Sequence, residues 1–163
     1  MSKFKIVVQP EQMDDPSKLR VLLTNAERQG ETDLAIRCRK RLFSLAGKDY
    51  DDPLERKFWE MIAAYEDLLS RRNGRKTRAS RTRAKVASKG VVETLRSWVH
   101  GRETFGFETL VESGFPELTG EYIILELPDR FEKKDWEAAI ERLGEYDVDI
   151  PDAFDSHVHL LGL

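Results

Sequence analysis

The feature that most constrains the fold is an apolar stripe at helical spacing in the first half of the sequence. Asp52-Pro53 precedes it, with an N-cap residue followed by proline at the first helical position. Asn73-Gly74 follows it and is typical of a helix end. At 100° per residue the stripe spans about 120° of arc. Its members are Leu54, Phe58, Met61, Ile62, Tyr65, Leu68 and Leu69. The stretch predicts an amphipathic helix to about Arg71, with this face in a core.

Two helices are predicted before this one. Asp15-Pro16 repeats the cap-and-proline signal, and Gly30 ends the first helix. The second helix runs from about Glu31 to Leu45. Because a short glycine turn joins them, the two helices are expected to pack as a helical hairpin.

Glycine and proline residues divide the rest of the chain into shorter helices. The predicted ranges are 77–88, 91–99, 105–111, 116–127 and 135–143. With the first three helices, they indicate a mainly α, compact multi-helix domain of about seven or eight helices.

We expect one domain overall, in three parts. Residues 1–72 form the N-terminal helical hairpin plus the long capped helix. Residues 73–144 hold the basic segment and the C-terminal helical part. Residues 145–163 contain aspartate and proline without periodicity, and they are predicted to be an extended, acidic C-terminal tail.

Two segments leave a strand open. Residues 4–8 form a short strand or an extended arm that ends at Pro10. Residues 121–127 contain the β-favouring run Tyr-Ile-Ile-Leu. We favour a helix there, and the alternative is one short strand pairing with residues 4–8.

The functional signal is a basic segment from Arg71 to Lys89, which carries nine positive charges and no negative one. Such an arginine-rich cluster is typical of a surface that binds a polyanion. The predicted nucleic-acid-binding residues are Arg71, Arg72, Arg75, Lys76, Arg78, Ser80, Arg81, Lys85 and Lys89. The planar guanidinium groups of the arginines in this set suit bidentate contact with phosphate.

If 77–88 is helical, Arg78, Arg81, Lys85 and Lys89 form one row within about 80° of arc. Arg83 points toward the apolar side, and we expect it to pair with a carboxylate from the acidic C-terminal third. A predicted helix, Gly90 and a second predicted helix follow one another, and this order is also the outline of a helix-turn-helix motif. Because the cations precede Gly90, contacts with the phosphate backbone are favoured over base readout.

The charge distribution leaves two interpretations of the basic segment. Residues 97–163 hold five Lys/Arg and sixteen Asp/Glu, although the whole chain has a net charge of −3. This acidic third either neutralises the basic segment or faces away from it. In the first case the chain is a protein–protein adaptor or complex subunit, and in the second it binds nucleic acid.

Other chemistry finds little support. Cys38 is the single cysteine, so an internal disulfide and a cysteine-rich metal cage are excluded, and a buried structural thiol is expected. The segment 155–160 resembles, over six residues, the metal-binding His-x-His motif of the amidohydrolase family. In that family further ligands follow within a barrel, which 163 residues do not build. We therefore predict no catalytic residue, no metal and no cofactor.

The sequence as a whole indicates a non-enzymatic protein that binds nucleic acid, with DNA favoured over RNA. One alternative is a protein–protein adaptor with a protein partner or a homodimer, and another is an enzyme whose active-site residues are scattered through the fold. Since no run of about 18 apolar residues occurs, no membrane association is expected. A cytoplasmic location is the default expectation for such a chain.

Overall fold

The computed structural model describes residues 8–102 and 105–163, and every regular element within them is helical. The eight α-helices of this part are α1 (Pro16–Arg28), α2 (Thr32–Gly47), α3 (Pro53–Asn73), α4 (Ser80–Val99), α5 (Phe105–Glu112), α6 (Gly120–Glu126), α7 (Lys133–Glu145) and α8 (Asp152–Leu160). Single 3₁₀ turns occur at Pro10–Gln12, Pro116–Leu118 and Pro128–Arg130. The mainly α prediction is confirmed. None of the described helices is long and apolar enough to cross a membrane.

The predicted helix starts and stops of the N-terminal half are confirmed. A carboxylate oxygen of Asp15 accepts the backbone N–H of Ser17 at 2.9 Å, which caps α1. Asp52 caps α3 in the same way, through the N–H of Leu54 at 3.2 Å. Gly74 ends α3 in the left-handed conformation, with φ of 67°.

The helical hairpin of α1 and α2 packs on the rest of the molecule through α2, which lies along α3. A small apolar cluster between α1 and α2 includes Leu23, Ala26, Ala35 and Cys38. Cys38 is fully buried, and this burial raises the pKa of its thiol. The expectation of a buried structural thiol is therefore confirmed.

Helix α6 lies at the centre of the C-terminal half, in contact with α3, α4, α7 and α8. Ile123, Ile124 and Leu125 are almost completely inaccessible to solvent. The Thr119 hydroxyl caps the helix by accepting the N–H of Tyr122 at 3.3 Å. Residues 121–126 are thus helical, as favoured, because packing on several sides overrides the β preference of the run. The other predicted strand, 4–8, lies outside the described residues except for Val8, which is exposed.

Asp135 joins α7 to the end of α4. Its buried carboxylate accepts hydrogen bonds from the Glu132 backbone N–H at 2.9 Å, Arg96 Nε at 3.1 Å and His100 Nε2 at 2.6 Å. Burial by itself raises the pKa of Asp135, but these hydrogen bonds outweigh it and hold the pKa below its usual range. The carboxylate is therefore a structural tie between two helices.

The prediction of an extended C-terminal tail is wrong for residues 152–160, which form α8. Phe154 is buried, and its ring packs edge-on against Trp136 with 5.7 Å between centroids. The N-terminus of α8 has no side-chain cap, so the local signal that marks the start of α1 and α3 is missing here.

The same helix excludes the strand geometry of the His-x-His resemblance. On an α-helix, residues two apart point about 200° away from each other. His157 packs edge-on against Trp136, while His159 is exposed. In residues 8–102 and 105–163 no group of three potential metal ligands comes together.

Helix α4 changes direction at Gly90, whose φ of 81° and ψ of 170° interrupt the helical geometry. The predicted break between two helical stretches is confirmed. The helix-turn-helix outline is wrong, because that motif needs a turn of three or four residues and a single residue breaks α4. The residues after the break are packed inward: Val91, Leu95 and Val99 are buried.

The backbone at Gly90 makes a testable prediction. Its conformation belongs to a region that is essentially restricted to glycine, so Gly90→Ala should lower the free energy of unfolding by about 1–3 kcal/mol. Gly144→Ala is the matched control, because its Cβ would meet no atom within 4 Å and its φ is not positive. The control should be neutral or stabilising by up to about 1 kcal/mol. Urea unfolding of both variants measures the difference, and equal stabilities would contradict the strained backbone at Gly90.

Candidate nucleic-acid interface

The fold divides the basic segment into three parts. Two arginines, Arg71 and Arg72, lie in the last turn of α3. The non-helical loop 74–79 carries Arg75, Lys76 and Arg78. The first half of α4 then carries Ser80, Arg81, Lys85 and Lys89. The predicted residues are therefore contiguous in sequence but divided between a helix end, a loop and a helix face.

One carboxylate, Glu66 of α3, holds this segment against the domain. Arg83 donates to both of its oxygens, from Nε at 2.6 Å and Nη2 at 2.9 Å. The backbone N–H of Ala79 donates to the same group at 2.9 Å. One turn later, the Ser70 hydroxyl accepts the N–H of Thr77 at 2.8 Å. Loop 74–79 and the start of α4 are thus attached to α3 at two positions.

The contacts of Glu66 determine its ionisation. Burial raises the pKa, but the bidentate bond from Arg83, the Ala79 N–H and the charge of Arg78 together hold the pKa below its usual range. The inward orientation predicted for Arg83 agrees with its half-buried side chain. The predicted partner was wrong: the carboxylate comes from α3, because the antiparallel return of the chain after Gly74 places α4 beside that helix.

Aromatic side chains also meet the basic segment through Arg83. Its guanidinium lies 5.2 Å from the ring of Trp59, on which Tyr50 stacks with 5.7 Å between centroids. From the sequence, aromatic residues are scarce near the cationic segment. The fold brings these two from the start of α3 and the turn before it, which no local pattern indicates.

The cations of the segment differ in whether a carboxylate holds them. Arg71 contacts Glu27 at 2.6 Å and Asp67 at 3.1 Å, so its charge is used within the fold. Arg83 is bound to Glu66 as described. In the described part of the chain, no carboxylate lies within 4.0 Å of the charged groups of Arg75, Lys76, Arg78, Arg81, Lys85 and Lys89. These six charges are left for interactions with solvent or with a ligand.

Several carboxylates of the acidic C-terminal third pair with cations outside the basic segment. Glu117 contacts Lys40 at 3.2 Å, and Glu126 contacts Lys57 at 2.5 Å. A nearly buried pair joins Glu121 to Arg142 at 2.8 Å. Among the described residues, no ion pair joins 97–163 to 71–89. Direct neutralisation of the basic segment by this third is therefore not observed there.

The predicted row of four cations is shortened to three. Helix α4 begins at Ser80, so Arg78 precedes it and does not share its face. Arg81, Lys85 and Lys89 follow one another at intervals of four residues and remain within about 80° of arc. Arg81 and Lys89 are exposed, and Lys85 is half-buried. This row can donate charge-assisted hydrogen bonds to an anionic surface.

Lys76 and Arg78 instead line an open groove of about 740 Å³ between α1, α2, α3 and loop 74–79. Two cations from the hairpin line it as well: Arg20 of α1 and Lys48, which follows α2. Sequence reasoning missed both, since each is an isolated charge at an exposed position. Only the packing of the hairpin beside α3 brings them to the basic segment.

The contacts of Glu66 predict that the stability of the fold decreases in acid. A carboxylate with a lowered pKa stabilises the fold above its unfolded-state pKa, and this stabilisation is lost as pH falls through the folded-state pKa. Glu66→Gln should lower the free energy of unfolding by about 1–3 kcal/mol at pH 7. The loss should shrink toward pH 3, because lowering the pH below the unfolded-state pKa removes the stabilisation that ionised Glu66 contributes. Urea unfolding at both pH values measures this.

The control for that experiment is Glu137→Gln, which removes an exposed carboxylate 3.8 Å from Lys133. It should change the stability by less than about 0.5 kcal/mol at either pH. If the free energy of unfolding depends on pH in Glu66→Gln in the same way as in the wild-type protein, ionised Glu66 does not hold the basic segment.

Comparison with known proteins adds no assignment to this geometry. No protein-family model, no curated protein and no solved structure matches this chain. What the surface binds must therefore be argued from its charges, its burial and its shape.

Proposed function

We propose that this protein binds nucleic acid, without catalysing a reaction, through the exposed cations of its basic segment. The observation that carries the proposal is the separation of charges in the segment. Arg71 and Arg83 are consumed by carboxylates of the fold, while six neighbouring cations have none within 4.0 Å among the described residues. A surface with charges of one sign attracts a polyanion and repels other cations.

A solvated helix surface is the plainest alternative, and the charge pattern argues against it. Exposed helix faces usually combine both signs at intervals of four residues, because such pairs stabilise the helix. Arg81, Lys85 and Lys89 place like charges at this interval, which costs stability. A ligand that supplies negative charge removes this repulsion.

The attachment of the segment further supports binding. Glu66 and Ser70 fix loop 74–79 and the start of α4 before any ligand arrives. Pre-organised cations lose less conformational entropy on binding than cations on a flexible chain. The basic segment therefore presents its cations in a fixed arrangement, which an unstructured basic tail would not do.

Duplex DNA is the proposed ligand, with most contacts to its phosphates. The half of α4 after Gly90 is directed into the core through Val91, Leu95 and Val99, so it presents little to read base edges. Phosphate contacts fix position without sequence preference. Trp59 is half-buried against Arg83 and Tyr50, so its ring is not a free platform on which the bases of a single strand could stack.

Fluorescence anisotropy with a labelled duplex across a salt series tests the proposal. If four to six phosphates are engaged, the logarithm of the association constant should fall with the logarithm of salt concentration, with a slope of roughly −4 to −5. Arg78→Ala combined with Arg81→Ala should weaken binding by roughly tenfold near 0.1 M salt and reduce the slope by about 2. Single-stranded DNA and duplex RNA of equal length serve as comparison ligands.

The matched control is Lys18→Ala combined with Arg28→Ala, which removes two exposed positive charges from α1. It should leave the slope unchanged. Absence of binding to every nucleic acid at about 50 mM salt would overturn the proposal, and so would equal losses in the two double variants. A chain that acts as a protein adaptor would ignore nucleic acid throughout the series.

A further inference from the structure

We propose that the groove between α1, α2, α3 and loop 74–79 seats a phosphate of the bound nucleic acid, and that Arg20 and Lys48 are binding residues. This inference rests on the proposed function and extends the interface beyond the basic segment. It joins the N-terminal hairpin to the surface formed by Lys76, Arg78 and the α4 row. The hairpin would then be part of the binding site as well as of the fold.

The placement of four cations around one groove is the first observation. Arg20 projects from α1, Lys48 follows the end of α2, and Lys76 and Arg78 belong to the loop. All four are exposed. None of them has a carboxylate within 4.0 Å in the described part of the chain. They come from three separate parts of the sequence, so a local excess of lysine and arginine does not account for their meeting.

The carboxylates of the groove give the second observation, because both are already neutralised. Glu66 is bound by Arg83 through two hydrogen bonds. Asp67 accepts from Arg39 Nη2 at 2.7 Å and from Arg71 Nε at 3.1 Å. The positive charges on the rim therefore act without an opposing free carboxylate inside the groove. The potential there favours an anion.

The floor of the groove strengthens this effect. It includes Leu42, Ala63 and Phe43, and the ring of Phe43 is almost completely buried. Apolar atoms on one side of the groove reduce its contact with water, so an ion pair formed there is screened less than one on a flat surface. Charge-assisted hydrogen bonds to phosphate oxygens would be formed under these conditions.

Continuity with the α4 row favours a backbone phosphate over an acidic peptide. Arg78 lines the groove and Arg81 opens the row, with a single turn of chain between them. A polymer with one charge at every repeat can occupy the groove and the row together. A free phosphate compound would use the groove alone, which the experiment below separates from the proposed ligand.

Arg20→Ala combined with Lys48→Ala tests the inference, with Lys18→Ala combined with Arg28→Ala as the control. Lys18 and Arg28 lie on the same hairpin and do not line the groove. Their substitution removes the same amount of charge. In duplex-DNA anisotropy, the groove variant should reduce the salt slope by about 1–2 and weaken binding several-fold near 0.1 M salt. Arg20→Lys combined with Lys48→Arg, which keeps both charges, should retain the wild-type slope.

The outcomes separate this inference from the proposed function. If wild-type protein binds no nucleic acid, the proposed function fails and the inference with it. If wild-type protein binds duplex DNA and the groove variant matches it in affinity and slope, the inference alone is overturned. Calorimetry with sodium pyrophosphate is the second arm. Loss of pyrophosphate binding in the groove variant, with unchanged duplex binding, would also overturn the inference, because the groove would then take a free phosphate compound.

Thermal unfolding of each variant accompanies the binding measurements. The charged groups of Arg20 and Lys48 contact no described carboxylate, so their substitution should change the stability little. A loss of binding that the charge-preserving variant shares would indicate a structural effect and overturn the inference.

Discussion

The arrangement of the candidate interface depends on the carboxylate of Glu66. It accepts a bidentate pair from Arg83 and the backbone N–H of Ala79, and so it determines where α4 begins relative to α3. Arg83 in turn lies against Trp59, which packs on the main core. One partly buried group thus connects the core, the loop and the row of cations. A buried carboxylate without hydrogen-bond partners would destabilise the fold. The two hydrogen bonds from Arg83 and the one from Ala79 are therefore needed together.

The fold divides the positive charges of the basic segment into those that pair with carboxylates of the domain and those that are available to a ligand. Arg71, at the end of α3, pairs with Glu27 and Asp67, and Arg83 of α4 pairs with Glu66 of α3, so both become part of the packing. Arg81 and Lys89 are exposed on the first half of α4, whereas Arg83 and Val86 of the same stretch are half-buried. Several carboxylates of the acidic C-terminal third pair instead with Lys40, Lys57, Arg96 and Arg142. A protein with a small net negative charge can therefore keep a cationic surface.

Local signals were sufficient for the helices of the first half and not for the end of the chain. Asp15 and Asp52 mark helix starts because the N-cap hydrogen bond is formed within a few residues. Helix α8 has no side-chain N-cap. Contacts with the core, such as that of Phe154 with Trp136, stabilise it instead. The run at 121–126 shows the same limit: its β preference yields to burial on several sides.

The sequence by itself determined the helical class, most helix boundaries and the cluster of positive charge, because caps, periodicity and charge runs act over a few residues. The tertiary structure decided which cations are available and what surrounds them. It paired Arg83 with Glu66, moved Arg78 off the α4 row and brought Arg20 and Lys48 to the same groove. These are contacts between residues far apart in the chain. Their geometry depends on how the helices pack, which no local pattern specifies.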